Sequence, residues 1–202
     1  MSRMKELIGT LKQGDIVLMP ADTIYGLFGL ARNQKTVEKI AHLKDRHYDK
    51  PFIVLVASWS QLAELGIKVT DQDKKLLRQI WPGPVSLVLP DKKSHFTYLH
   101  HNHGLAVRWP KHKFLTTLIK KTGPLVSTSA NQADNPPAET VTEARAIFGD
   151  KVDLYLSAGC RLKNKPSTLI SLENGKIKVL RKGAMPIKKL KQKLNYDFIW
   201  QV

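Results

Sequence analysis

The chain has 202 residues, 42% of them hydrophobic, with 33 Lys and Arg against 17 Asp and Glu for a formal charge of +16. That length suits one domain with at most a modest tail, and the apolar content excludes an intrinsically disordered chain. The opening residues "MSRMKE" bring charge at once with no signal-peptide core, no apolar run reaches the ~18–20 residues that span a bilayer, and a single cysteine, Cys160, excludes an internal disulfide or a thiolate metal framework, so a cytoplasmic protein is the expectation.

Met4, Leu7, Ile8 and Leu11 recur at helical spacing, and Gly14 closes that helix before the short strand "DIVLMP". "TIYGLFGLA" reads as extended, and Asn33 is an N-cap for the helix "QKTVEKIAHLKDR", whose Val37, Ile40 and Ala41 form an apolar stripe. "KPFIVLVA" is a continuous apolar run of strand length, the pattern of a strand covered on both faces. Two helices, "SWSQLAEL" and "DQDKKLLRQIW", precede a turn and strand in "PGPVSLVLP" and a further strand in "LAVRWP". A helix from Lys111 to Lys121, the strand "PLVS", a helix from Thr140 to Phe148 and the strand "VDLYL" continue the alternation. "STLISL" and "KIKVLR", joined by "ENG", form a hairpin with an Asn-Gly turn.

Helices interleaved with strands and one terminal hairpin predict a single α/β domain on a mixed sheet. Residues 1–184 hold that domain, and 185–202 read as a basic C-terminal tail. Between Arg161 and Val202, eleven Lys and Arg stand against only Glu173 and Asp197, which describes either a solvated basic face or a polyanion-binding one.

Lys44 occupies the position where the stripe of Val37, Ile40 and Ala41 should continue, and Arg46 and Lys50 follow it closely. A lone lysine there fits a snorkelling stem. Three cations at the mouth of a strand also make a site for a multiply charged phosphate. "PLVSTSAN" sets Ser127, Thr128, Ser129 and Asn131 just past a strand end, where open α/β sheets collect ligands; a turn and helix cap that satisfy only the local backbone would use the same residues. Arg108 and Arg181 each leave a strand with a guanidinium able to meet carboxylate or phosphate, or to form a surface ion pair. His95, His100, His101 and His103 fit no standard zinc spacing and read as a solvated loop. The common phosphate-loop, dinucleotide, metalloprotease and nucleophile-elbow signatures are all missing.

"MPADTIYGL", "LKDRHYDKP", "WPGPVSLVLP", "LAVRWP", "PLVSTSAN" followed by "NPP", "KPSTLIS" and "VLRKGA" occur in the order and spacing of one family. Over residues 5–184 the chain resembles the YrdC-like family of L-threonylcarbamoyl-adenylate synthases, in its short form. The resemblance implies a twisted α/β sheet around a large positively charged cavity. It implies condensation of L-threonine, bicarbonate and ATP, with Mg²⁺, to threonylcarbamoyl-AMP and pyrophosphate. The product supplies downstream threonylcarbamoyl transferase proteins that modify adenosine 37 of tRNA.

The family's K-x-R and S-x-N signature falls on Lys44, Arg46, Ser129 and Asn131, implied as catalytic. ATP would be held by Lys44, Arg46, Lys50, Ser127, Ser129, Asn131 and Arg181, and threonine by Thr23, Tyr25, Arg108 and Ser167, with no metal ligands from the protein. The sequence departs from the family at Ala21, where a threonine is usual, and in "FIVLV", where many members carry a histidine. A non-catalytic module binding tRNA or double-stranded RNA through the same basic cavity is the competing reading. Carbamoyl-transfer proteins that mature hydrogenases also carry this domain, but with zinc-finger and acylphosphatase-like segments not visible here.

Overall fold

A computed structural model describes residues 3–45, 52–90, 96–99, 104–157, 159, 164–173, 176–194 and 198–200. In chain order the elements are α1 (Arg3–Gln13), β1 (Val17–Pro20), β2 (Tyr25–Leu30), α2 (Gln34–Leu43), β3 (Ile53–Leu55), α3 (Trp59–Glu64), α4 (Asp71–Leu77), β4 (Val85–Pro90), β5 (Gly104–Arg108), α5 (Lys113–Thr122), β6 (Leu125–Ser129), α6 (Val141–Phe148), β7 (Leu154–Tyr155), β8 (Thr168–Glu173), β9 (Lys176–Arg181), α7 (Ile187–Lys193) and β10 (Phe198–Trp200). The strands form one sheet in the order β10-β9-β8-β4-β5-β3-β6-β2-β1-β7. Pairing is mixed: β3 with β5 and β4 with β8 run parallel, while β2 with β6, β3 with β6 and β4 with β5 run antiparallel.

Alternation along the strands divides the core into two layers. Leu18, Leu27, Val54 and Val126 enter the larger cluster with α2 and α6, through Val37, Ile40 and Ala144. Their neighbours Val17, Phe28, Leu55 and Leu125 enter a smaller cluster with Leu7 and Leu11 of α1 and Leu115, Leu118 and Ile119 of α5. The helix starts follow the sequence: Asn33 accepts from the Thr36 N–H, and Thr140 caps α6 by accepting from Glu143. Gly29 lets α2 approach β2 closely, since a Cβ there would lie 2.4 Å from Thr36 Cγ2. That close approach sets the height at which α2 ends, and so the place of Lys44.

The described residues of the segment expected as a tail, 185–194 and 198–200, include a helix and a strand that joins the sheet. β10 pairs in parallel with β9, and α7 seats Leu190 in the larger core with Leu194 just after it, at 0% and 1% exposure. The sequence reading stopped at the lysines and missed the Ile187, Leu190, Leu194 spacing that holds this helix down. The turn of the β8–β9 hairpin at Asn174 and Gly175 lies outside the described residues, as do Cys160 and the four histidines. No helix among the described residues is long and apolar enough to cross a membrane.

Leu190→Ala is expected to lower the unfolding free energy by about 2–5 kcal/mol, the range for emptying a packed leucine site. Denaturant titration reads this directly. An unchanged midpoint would mean that α7 is not part of the cooperative unit.

Candidate active site

One hollow of about 610 Å³ opens on the sheet. Among its lining residues are Thr23, Tyr25, Lys44, Arg108, Ser127, Ser129, Asn131, Ser167 and Arg181. That volume is within the ~300–1,000 Å³ of small-molecule sites. The sequence reading put the hydroxyls past a strand end. They instead belong to β6, where Ser127 pairs with Phe28 and Ile53 and Ser129 pairs with Gly26. By strand alternation Ile53, Ser127, Ser129 and Arg108 point to the face opposite Val54, Val126 and Val107. This is the face whose other part is covered by α1 and α5. The ligand space therefore lies over an uncovered stretch of sheet and runs on past the end of β6, where Asn131, Ala133, Asp134, Asn135 and Pro137 line it.

Lys44 sits at the C-cap of α2 and is 3% exposed. Its ammonium donates to Ser129 O at 2.6 Å, Asn131 O at 2.7 Å and Asn131 Oδ1 at 2.7 Å. Ser129 Oγ also donates to Asn131 Oδ1 at 2.6 Å, and Asn131 Nδ2 donates to Asn135 O. The backbone closes the same junction, with Ala133 N–H donating to Lys44 O at 2.9 Å. These acceptors are uncharged protein oxygens, so the ammonium is turned into the protein rather than snorkelling to water. Arg46 and Lys50 lie outside the described residues.

Arg108 is a second buried cation. Its Nη2 donates to Asp22 Oδ1, its Nε to Gly83 O at 3.1 Å and its Nη1 to Thr23 Oγ1 at 3.3 Å. The paired side chains are 5% and 12% exposed. Burial pushes the Arg108 pKa down and Asp22 pushes it back up. Arg108 therefore fastens the 22–23 loop and the 83 turn to β5. Asp22 escaped the sequence reading, although an acid beside a strand end and a lone arginine later in the chain was the available signal.

Arg181 differs from Arg108 in its partners. It donates to Ser167 O at 3.2 Å from Nε and 3.1 Å from Nη2, and to Ser167 Oγ at 3.2 Å. No acid among the described residues pairs with it. Its pKa is pushed down by burial first and by the charge of Arg108 second. Ser167 Oγ also lies 2.8 Å from Ser86 Oγ, a fully buried hydroxyl that the sequence reading did not single out. Gly183 allows this corner to close, since a Cβ there would lie 2.3 Å from Pro166 O and 2.5 Å from Ser167 O.

Two guanidinium groups, an ammonium and strand-borne hydroxyls thus gather around one hollow of an α/β domain, a donor-rich lining chemically suited to a small anion. Residues 9–183 match the Sua5/YciO/YrdC family, described as "Telomere recombination", and the chain belongs to that family. It is 32% identical over 169 residues to the threonylcarbamoyl-AMP synthase of Marinobacter nauticus, covering 82% of this chain and 89% of the relative. It is 30% identical over 188 residues to the threonylcarbamoyl-AMP synthase of Pyrococcus abyssi, covering 91% of this chain and 55% of the relative. The crystal structure of Pyrococcus abyssi Sua5 complexed with L-threonine superposes with a TM-score of 0.88 at 27% identity, over 97% of this chain and 58% of that one. The chain thus spans little more than half the length of the Pyrococcus protein.

Asp22→Ala is expected to cost about 3–5 kcal/mol of stability, because it strands a buried guanidinium. Chemical denaturation measures it. A cost below about 1 kcal/mol would class the pair with exposed ion pairs and contradict its anchoring role.

Proposed function

We propose that this chain makes L-threonylcarbamoyl-AMP from L-threonine, bicarbonate and ATP and releases pyrophosphate. The observation that carries the reading is Arg181 at the hollow, whose hydrogen bonds among the described residues all go to Ser167, beside a second arginine whose charge is balanced by Asp22. An anion entering there gives Arg181 the counter-charge that Arg108 already has in Asp22. The Marinobacter and Pyrococcus relatives named as threonylcarbamoyl-AMP synthases support the choice of reaction.

The threonine amine and bicarbonate form a carbamate with loss of water. A carbamate oxygen then attacks the α-phosphorus and pyrophosphate departs. Two anions have to meet, so the protein's task is charge balance and alignment, with no side-chain nucleophile. Arg181 would hold the α-phosphate or the threonine carboxylate, with Ser167 fixing its fork. Thr23, Tyr25 and Arg108 would shape the threonine end. Ser127 would offer a hydroxyl to the nucleotide, while Lys44, Ser129 and Asn131 would set its cradle, with Arg46 and Lys50 adding charge for the triphosphate.

Asp134 is the one carboxylate among the described lining residues, too few for a protein-held metal cage. Mg²⁺ would enter as part of the nucleotide substrate and offset triphosphate charge. The activated group is destined for N6 of adenosine 37 in tRNA, by way of downstream threonylcarbamoyl transferase proteins.

Purified protein given ATP, Mg²⁺, labelled bicarbonate and L-threonine is expected to release pyrophosphate only when threonine is present. Arg181→Gln should lower kcat/KM about 100-fold, the usual effect of removing one transition-state donor. Release that does not depend on threonine, or an Arg181→Gln enzyme of unchanged kcat/KM, would overturn the reading.

A further inference from the structure

We infer that the face formed by α7 and the C-terminal end of α4 is a docking surface for the phosphate backbone of RNA, separate from the hollow. Eight of the eighteen residues from Lys176 to Lys193 are Lys or Arg and none is acidic. One of these, Arg181, belongs to the hollow; Lys182, Lys188, Lys189, Lys191 and Lys193 are all exposed. Ile187, Leu190 and Leu194 take the core side of α7, so its four lysines occupy the remaining arc of a helix about 10 Å long.

Two contacts tie this arc to a neighbouring cation. Lys193 Nζ donates to Gln79 O at 3.2 Å, where α4 has just ended. The preceding residue, Arg78, sits over the Trp59 ring at 5.7 Å from its centroid, and Trp59 meets Trp109 edge to face at 5.4 Å. The acids of α4, Asp71 and Asp73, are at its opposite end. The exposed lysines of α7 are thus joined through Lys193 to the end of α4, where Arg78 is held against an indole.

Three kinds of partner carry enough negative charge. A membrane-surface helix needs an apolar face turned outward, but the apolar residues of α7 are turned into the core. Protein interfaces are depleted of lysine and centred on apolar anchors, and the exposed residues of α7 are lysines and Gln192. Exposed lysines beside an exposed, aromatic-backed arginine match a nucleic acid backbone. This inference rests on charge and placement and does not depend on the synthase reading.

The test compares two variants of equal charge change. Lys188→Glu/Lys189→Glu/Lys191→Glu alters the α7 face, and Lys12→Glu/Lys120→Glu/Lys121→Glu alters exposed lysines on α1 and α5. Each is titrated with a labelled tRNA transcript from about 50 to 200 mM salt, and threonine-dependent pyrophosphate release is measured without RNA. The α7 variant is expected to bind tRNA at least about tenfold more weakly with a salt slope reduced by about 2–3, while the control loses less than about threefold. Pyrophosphate release should be unchanged in both, so failure of the docking surface and failure of the synthase reading are told apart. The neutral triple Lys188→Gln/Lys189→Gln/Lys191→Gln should fall between wild type and the glutamate variant. Equal losses in the two charge-reversed triples, or no loss in the α7 triple, would overturn the inference. So would α7-dependent binding of polyglutamate or phosphatidylserine vesicles tighter than that of tRNA.

Discussion

A lysine ammonium withdrawn from water costs several kcal/mol unless other groups replace its hydration. At Lys44 that replacement is three short hydrogen bonds to oxygens of Ser129 and Asn131. The ammonium can reach them only if α2 ends above the tip of β6, and α2 can lie that low only because Gly29 removes a side chain between helix and sheet. One long-range contact, between residues 85 and 87 positions apart, therefore fixes the corner of the hollow at which the strand becomes a loop. The small polar residues of that loop then serve as acceptors for a buried cation as well as walls for a ligand.

The same economy of charge governs the other corner. Arg108 is neutralised by Asp22 and spends its remaining donors on a hydroxyl and a carbonyl, which makes it a rigid wall. Arg181 has only neutral partners among the described residues and feels Arg108 nearby. A preorganised site aims its uncompensated charge where the substrate's charge develops. By that criterion Arg181 carries the open charge of the described hollow, and Lys44 and Arg108 are its supports.

Much of this was legible in the residues. The cap at Asn33, apolar runs of strand length and the helical stripes are local signals, and every strand and helix expected between residues 3 and 181 has a described counterpart. The C-terminal helix was hidden because four lysines in seven residues outweigh three apolar anchors in composition, although the anchors decide burial. Sheet order was not legible either, since β8 and β9 join the strands by way of β4 and nothing local specifies that pairing. Within the site, sequence pointed to Lys44, Ser129 and Asn131 but not to what they do for one another. Asp22 and Ser86 were missed because each acts through a partner more than 80 positions away, Arg108 and Ser167 respectively.

The account stands on the contact between the Lys44 ammonium and the Asn131 side chain. A double-mutant cycle on unfolding free energy, with Lys44→Met, Asn131→Leu and the pair, tests it most directly. The account predicts a coupling energy of about 1–3 kcal/mol, because each single change strands a buried partner that the double change removes. Additivity within about 0.5 kcal/mol would contradict it, since the ammonium would then not be holding the strand end in place.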